Sequence, residues 1–191
     1  MAYNKRVHED YLMSNTEAQR RYDDRVASID KELDEARRNI DTKRRHKAEK
    51  SLHDWVNTYC VGLLIDDPPP EKGCQILDEM ERALDDSRPY MIMMGRGNGK
   101  TSLTECAAVY SMATGKRRFP VIISANARAA SNILDDIFRM FQEKDTPFAQ
   151  DYPDLCVPIQ SVNGSYRRKQ TYRGISTEIG KTSNQANFAR L

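Results

Sequence analysis

The run Met94–Thr101, MGRGNGKT, constrains this chain more than any other stretch. It places glycines at 95, 97 and 99 and ends on Lys100 and Thr101. Glycine adopts left-handed backbone at low cost and lets N–H groups approach an anion closely. The apolar Tyr90–Met94 just before it reads as a short strand, and a helix is expected from Lys100 to about Thr114. A helix starting there aims the positive end of its dipole at whatever the loop holds. Strand, glycine loop and helix together suit a phosphate chain with Mg²⁺: Lys100 reaches the β- and γ-phosphates and the Thr101 hydroxyl ligands the metal. The general pattern is G-x-x-x-x-G-K-[ST]. Gly99, Lys100 and Thr101 fit it, whereas Met94 stands at the first glycine position and Gly95 follows one place later. The plain alternative is a chance GKT in a glycine-rich turn. The expected contacts are Gly95, Arg96, Gly97, Asn98, Gly99, Lys100, Thr101 and Ser102, with ATP and Mg²⁺ as the ligands and Thr101 on the metal.

The surrounding pattern predicts an α/β fold. A helix over Glu71–Asp86, the strand Tyr90–Met94, the helix from Lys100, a second strand Phe119–Ser124 and a helix over Ala127–Glu143 follow in order. Strands of continuous apolar type alternating with helices argue a parallel sheet with crossover helices. Asp66-Asp67-Pro68-Pro69-Pro70 breaks any helix, because proline lacks an N–H and disfavours helix at the residue before it. The boundary is drawn there: a helical extension over 1–67 and the front part of the α/β domain over 68–191. Within the extension, Thr16 to about Lys50 contains no Gly or Pro. Tyr22, Val26, Ile29, Leu33, Ala36 and Ile40 recur at steps of four and three, a heptad seam. Two readings fit it: a helix packed on its own domain, and a coiled coil that makes a homo-oligomer. Leu52, Trp55, Val56 and Tyr59 mark the buried face of a second helix, about Ser51–Leu64. After Lys144 the chain is rich in proline and polar residues, with β-like pieces such as Gly174–Ile179.

Composition excludes several classes. The net charge is +2 over 191 residues, too small to argue a nucleic-acid partner by itself. No apolar run approaches the ~20 residues that a membrane helix needs, and the first residues hold no apolar signal region. Cys60, Cys74, Cys106 and Cys156 are spaced singly and read as reduced thiols of a cytoplasmic protein. His8, His46 and His53 form no ligand spacing. Two basic stretches are noted: Arg37–Lys50, and Ser165–Arg173, where arginines and a lysine alternate with tyrosines as in strands that contact phosphates and stack on bases. A solvated helix face is the plainer reading of Arg37–Lys50, and a solvated loop stands beside the nucleic-acid reading of Ser165–Arg173.

GRGNGKT resembles the deviant phosphate loop of phage terminase large subunits, the motors that package viral DNA. PPPEKGCQILDEMERAL is similar to the helix before that loop, RRFPVIISANARAASNILDDIFRMF to the second strand and following helix, and DYPDLCVPI to a segment of one branch of the family. The resemblance spans about Pro68–Ile179. It implies a RecA-like P-loop NTPase sheet with flanking helices, here incomplete, that hydrolyses ATP to drive double-stranded DNA in the cytoplasm of a bacterial host. It also implies a portal and a small terminase subunit as partners. On this resemblance Arg96 is a catalytic finger acting in cis beside Lys100, or else a solvated arginine. Gln75 is the glutamine that reads adenine, or else a surface residue.

A motor also needs an apolar strand ending in an acid that holds Mg²⁺, then an acid that activates water. Ile133-Leu134-Asp135-Asp136 has the letters, but Ile137, Phe138 and Phe141 continue a helical period. Leu63-Leu64-Ile65-Asp66-Asp67 lies upstream of the loop and runs into prolines. The chain therefore reads as one that binds ATP with little turnover. Two other functions fit: a helicase-like P-loop ATPase, and a nucleotide-binding assembly module without hydrolysis.

Overall fold

The computed structural model describes residues 2–61, 71–117 and 120–161, together with the pairs 171–172, 175–176, 181–182 and 185–186. Eight helices follow one another among them: α1 Ala2–Arg38, α2 Thr42–Ala48, α3 Leu52–Tyr59, α4 Glu71–Asp85, α5 Lys100–Ala113, α6 Ala127–Gln142, α7 Pro147–Asp151 and α8 Pro153–Ser161. Their starts are written in the local sequence. The Asp41 carboxylate accepts from the N–H groups of Lys43 and Arg44 at 3.1 and 3.0 Å, and so begins α2 where one long helix is expected to continue. Ser51, Asn126 and Thr146 cap α3, α6 and α7 in the same way.

Among the described residues the expected parallel sheet does not form, and their architecture is helical. Neither Tyr90–Met94 nor the described part of the second expected strand, residues 120–124, is a strand; Ile122 makes an isolated bridge and the rest of the described backbone there joins no ladder. The strands among the described residues are four two-residue pieces, β1 Thr171–Tyr172 with β2 Ile175–Ser176, and β3 Lys181–Thr182 with β4 Gln185–Ala186. Each pair is antiparallel, with Tyr172 opposite Ile175 and Thr182 opposite Gln185. The reason is burial. A parallel sheet is covered on both faces. Here Ile92 and Ile122 lie against the helical core, while Met91 and Met93 are 81% and 86% exposed and Val121 and Ile123 are 53% and 76% exposed. The alternating pattern of a strand is kept, but helices cover one side of it only. RecA-like topology is therefore withdrawn for this chain.

The core is built by helix packing around Trp55. Trp55 is fully buried and meets Tyr59, Tyr110, Phe148 and Tyr152 at ring-centroid distances of 5.3 to 6.4 Å. Its Nε1–H donates to Tyr152 Oη at 3.1 Å, and Tyr152 donates to Glu49 Oε1 at 3.0 Å. Edge-on ring pairs of this kind each stabilise by about 0.5–1.5 kcal/mol beyond the area they bury. Leu52, Val56, Leu77, Val109, Ile137 and Cys156 complete the same cluster, so α3, α4, α5, α6 and α8 share one interior. A smaller cluster joins Ile29 and Leu33 of α1 to Val157 of α8, with Val26 and Ala36 at its edge. The heptad seam of α1 thus lies on α8. The basic run meets the same region: Arg37 donates to Asp154, Arg44 to Asp151, and the Arg45 guanidinium stacks 4.5 Å over the Tyr152 ring. The segment after Lys144, expected to be irregular, supplies α7 and α8 and with them Phe148 and Tyr152. Among the described residues no helix is long and apolar enough to cross a membrane.

Candidate phosphate-binding loop

The glycine loop lies between Tyr90–Met94, which is neither helix nor strand, and the start of α5. Gly97 and Gly99 both hold left-handed backbone, at φ 85° and 71°. Gly99 is the residue that opens α5, and no side chain caps that helix. The first hydrogen bond of α5 that crosses the junction runs from Leu103 N–H to Gly99 O at 2.9 Å. The earlier N–H groups of a helix have no partner within it. The cleft beside this helix start is lined by Lys100 and, farther along, by Arg88 and Arg117.

Lys100 turns back over the loop. Its Nζ donates to the carbonyl oxygens of Met94 at 2.9 Å and Gly95 at 2.7 Å. At Gly95 a Cβ would lie 3.3 Å from Asn98 Nδ2, a tight but adjustable contact with the end of a side chain. Arg96, Gly97 and Asn98 are exposed, Gly99, Lys100 and Ser102 are half-buried, and Thr101 is exposed. Beside the loop lies a cleft of about 910 Å³, with Lys100 and Thr101 at one end and Tyr90, Ile92, Ala107 and Ile133 among its walls. That volume falls within the ~300–1,000 Å³ of ligand sites.

The residues fit a phosphate group. Two carbonyls hold the ammonium in place, two glycines bend the backbone inward, and a helix start of fourteen residues lies behind them. Phosphate oxygens would replace the carbonyls as acceptors for Lys100. The exposed Thr101 hydroxyl is placed to reach a cation held by those phosphates. Among the described residues no group of three or more acids, histidines or cysteines could hold a metal by itself, so such a cation would rest on the nucleotide and Thr101.

Other expected residues fall elsewhere. Gln75 is exposed on α4 and does not line the cleft, which α4 approaches through Met80, Ala83 and Leu84. Arg96 points into solvent from the loop's outer turn. Asp135 and Asp136 lie within α6, as their helical period predicts. Leu63–Asp67 lies outside the described residues, as does Ser165–Arg173 apart from the backbone of Thr171–Tyr172.

Glu105 was not singled out by sequence. It lies one turn beyond Thr101 on α5 and is only 4% exposed. Burial, with a smaller contribution from the charge of Asp136, raises its carboxyl to about 7. Its signal was present: in a helix whose neighbours Leu103, Cys106, Ala107, Val109 and Tyr110 are all buried, position 105 faces inward too. Comparison with protein-family models, curated proteins and solved structures finds no match for this chain.

Proposed function

We propose that this chain binds the phosphate groups of a nucleoside triphosphate, ATP with Mg²⁺, and that it is the ATP-binding part of a DNA-packaging motor in a bacterial host cytoplasm. The observation that carries the first half is the loop itself: two left-handed glycines and Lys100 held over them at the start of α5. The motor reading rests on the resemblance of GRGNGKT and its flanks to terminase large subunits, and double-stranded DNA enters as a partner by that route alone.

Binding and turnover depend on different groups. The loop supplies glycine N–H groups, an ammonium and a hydroxyl, which bind and orient. Hydrolysis also needs a carboxylate that positions the attacking water. The acids nearest in sequence after the loop are spent otherwise: Glu105 is buried in the core, and Asp135 and Asp136 belong to α6. Binding with slow turnover is the behaviour this arrangement supports.

Titration of a fluorescent ATP analogue with Mg²⁺ tests the reading. Lys100→Ala removes charge-assisted bonds of ~1.5–3 kcal/mol, or roughly ten- to a hundredfold in affinity. Equal affinities for the native chain and the variant would sink it. Phosphate release from the native chain is measured beside it. Fast release that stops on replacing Asp66 and Asp67 would move the metal site to those acids.

A further inference from the structure

His53 Nε2 faces two side chains at the same distance. Cys74 Sγ lies 3.2 Å from it, and Asn57 Nδ2 also lies 3.2 Å from it. His53 and Asn57 stand four residues apart on α3, one above the other. Cys74 arrives from the first turn of α4.

A neutral imidazole nitrogen of this kind offers one lone pair, which cannot serve both the thiol and the amide N–H. Asn57 Oδ1 meanwhile is buried with no hydrogen-bond partner among the described residues. Nε2 therefore accepts from the thiol or the amide one at a time, and when it faces the thiol it is placed to take the thiol proton. Charge that develops on the sulfur during reaction lies in the first turn of α4, where the helix dipole favours an anion. Access separates Cys74 from the other thiols: Cys60, Cys106 and Cys156 are 0–1% exposed within the core, while Cys74 is half-buried.

We propose that Cys74, with His53 as its proton acceptor, is a covalent modification site for low-molecular-weight disulfides. The thiol proton passes to His53 Nε2 as Cys74 Sγ attacks one sulfur of the disulfide. A bond forms between Cys74 Sγ and that sulfur, and the disulfide's own S–S bond breaks. The departing thiolate takes the proton from His53. The exchange is balanced and requires no further oxidant. It is independent of nucleotide binding.

The full chain is treated with oxidised glutathione at neutral pH, and the adducts are mapped by mass spectrometry. One glutathionyl group is expected, on Cys74, formed roughly tenfold faster than on a short peptide carrying the same cysteine. Cys74→Ser removes the adduct. His53→Gln slows it by roughly 10- to 100-fold, and the gap closes at alkaline pH, where hydroxide takes the proton instead. Preferential labelling of the core cysteines, a rate for Cys74 equal to the peptide's, or a His53→Gln gap that persists at alkaline pH would each overturn the proposal. Should His53→Gln unfold, seen as labelling of all four cysteines, the comparison of native chain with peptide decides alone.

Discussion

Arg44 grips Asp151 with two hydrogen bonds, from Nε to Oδ2 at 2.6 Å and from Nη2 to Oδ1 at 2.8 Å, across 107 residues of sequence. The carboxylate is fully buried, and it also accepts from Tyr59 Oη at 2.7 Å and from the Asp41 N–H at 3.1 Å. Burial first, and then this bond to Asp151, raise the Tyr59 hydroxyl well above its ordinary range. The pair ties the start of α2 to the end of α7.

Removing one partner of a buried ion pair leaves the other charged, desolvated and unmatched. Arg44→Ala is therefore expected to lower the unfolding free energy by about 3 kcal/mol, measured by urea denaturation. Tyr59→Phe removes one of several donors and should cost about 1 kcal/mol. A loss below that smaller figure for Arg44→Ala would mean that water reaches Asp151 readily.

Glu105 gives the fold a pH dependence whose sign is fixed. Its carboxyl has an ordinary value of 4.5 and is raised to about 7 in the folded chain. Below 4.5 both states hold the proton and no penalty arises. Between the two values the unfolded chain releases the proton and the folded chain keeps it, so stability falls as pH rises. Above about 7 the penalty is complete and constant. Glu105→Gln should therefore raise stability more at pH 8 than at pH 4, by about 3 kcal/mol, in thermal or urea unfolding. A difference that does not change with pH would show that the side chain finds solvent.

Gly99 and Gly115 hold the same left-handed φ of 71°, one at the start of α5 and one just past its end. An L side chain in that conformation costs roughly 1–2 kcal/mol. Gly99→Ala and Gly115→Ala should thus destabilise the fold alike. They should differ in ligand binding: Gly99→Ala weakens the ATP analogue, and Gly115→Ala leaves it unchanged. Equal affinity in both variants would argue that the loop does not cradle phosphate.

Helices were legible where the signal was local. The apolar spacing of Leu52, Trp55, Val56 and Tyr59 and the glycine before Lys100 each mark an element that the structure forms. What stayed hidden depended on distance. Asp41 looks like one acid in a charged helix until its carboxylate caps α2, which divides the long helix at that point. Pro147, Pro153 and Pro158 suggested a loop, yet Pro147 and Pro153 open α7 and α8, where proline is well tolerated, Pro158 is held buried within α8, and Phe148 and Tyr152 pull those turns into the core. The misread sheet has the same origin. YMIMM and FPVIIS carry strand-like apolar character, but a strand exists only if another lies beside it. The described chain gives each of them helices on one face and no ladder. At the candidate loop, Gly95 to Thr101 are contiguous in sequence, so the fold keeps them together whatever surrounds them. Of the two readings of Gln75, its exposed position on α4 away from the cleft matches the surface residue.

Trp55 is the chain's single tryptophan and sits at the centre of its aromatic cluster. The protein thus carries its own optical probe. Native emission should be blue-shifted and partly quenched by the surrounding tyrosines, and loosening of α3 against α7 should move it to the red before the helices themselves melt. One fluorescence trace, read beside circular dichroism, would separate the loss of packing from the loss of helix without any label.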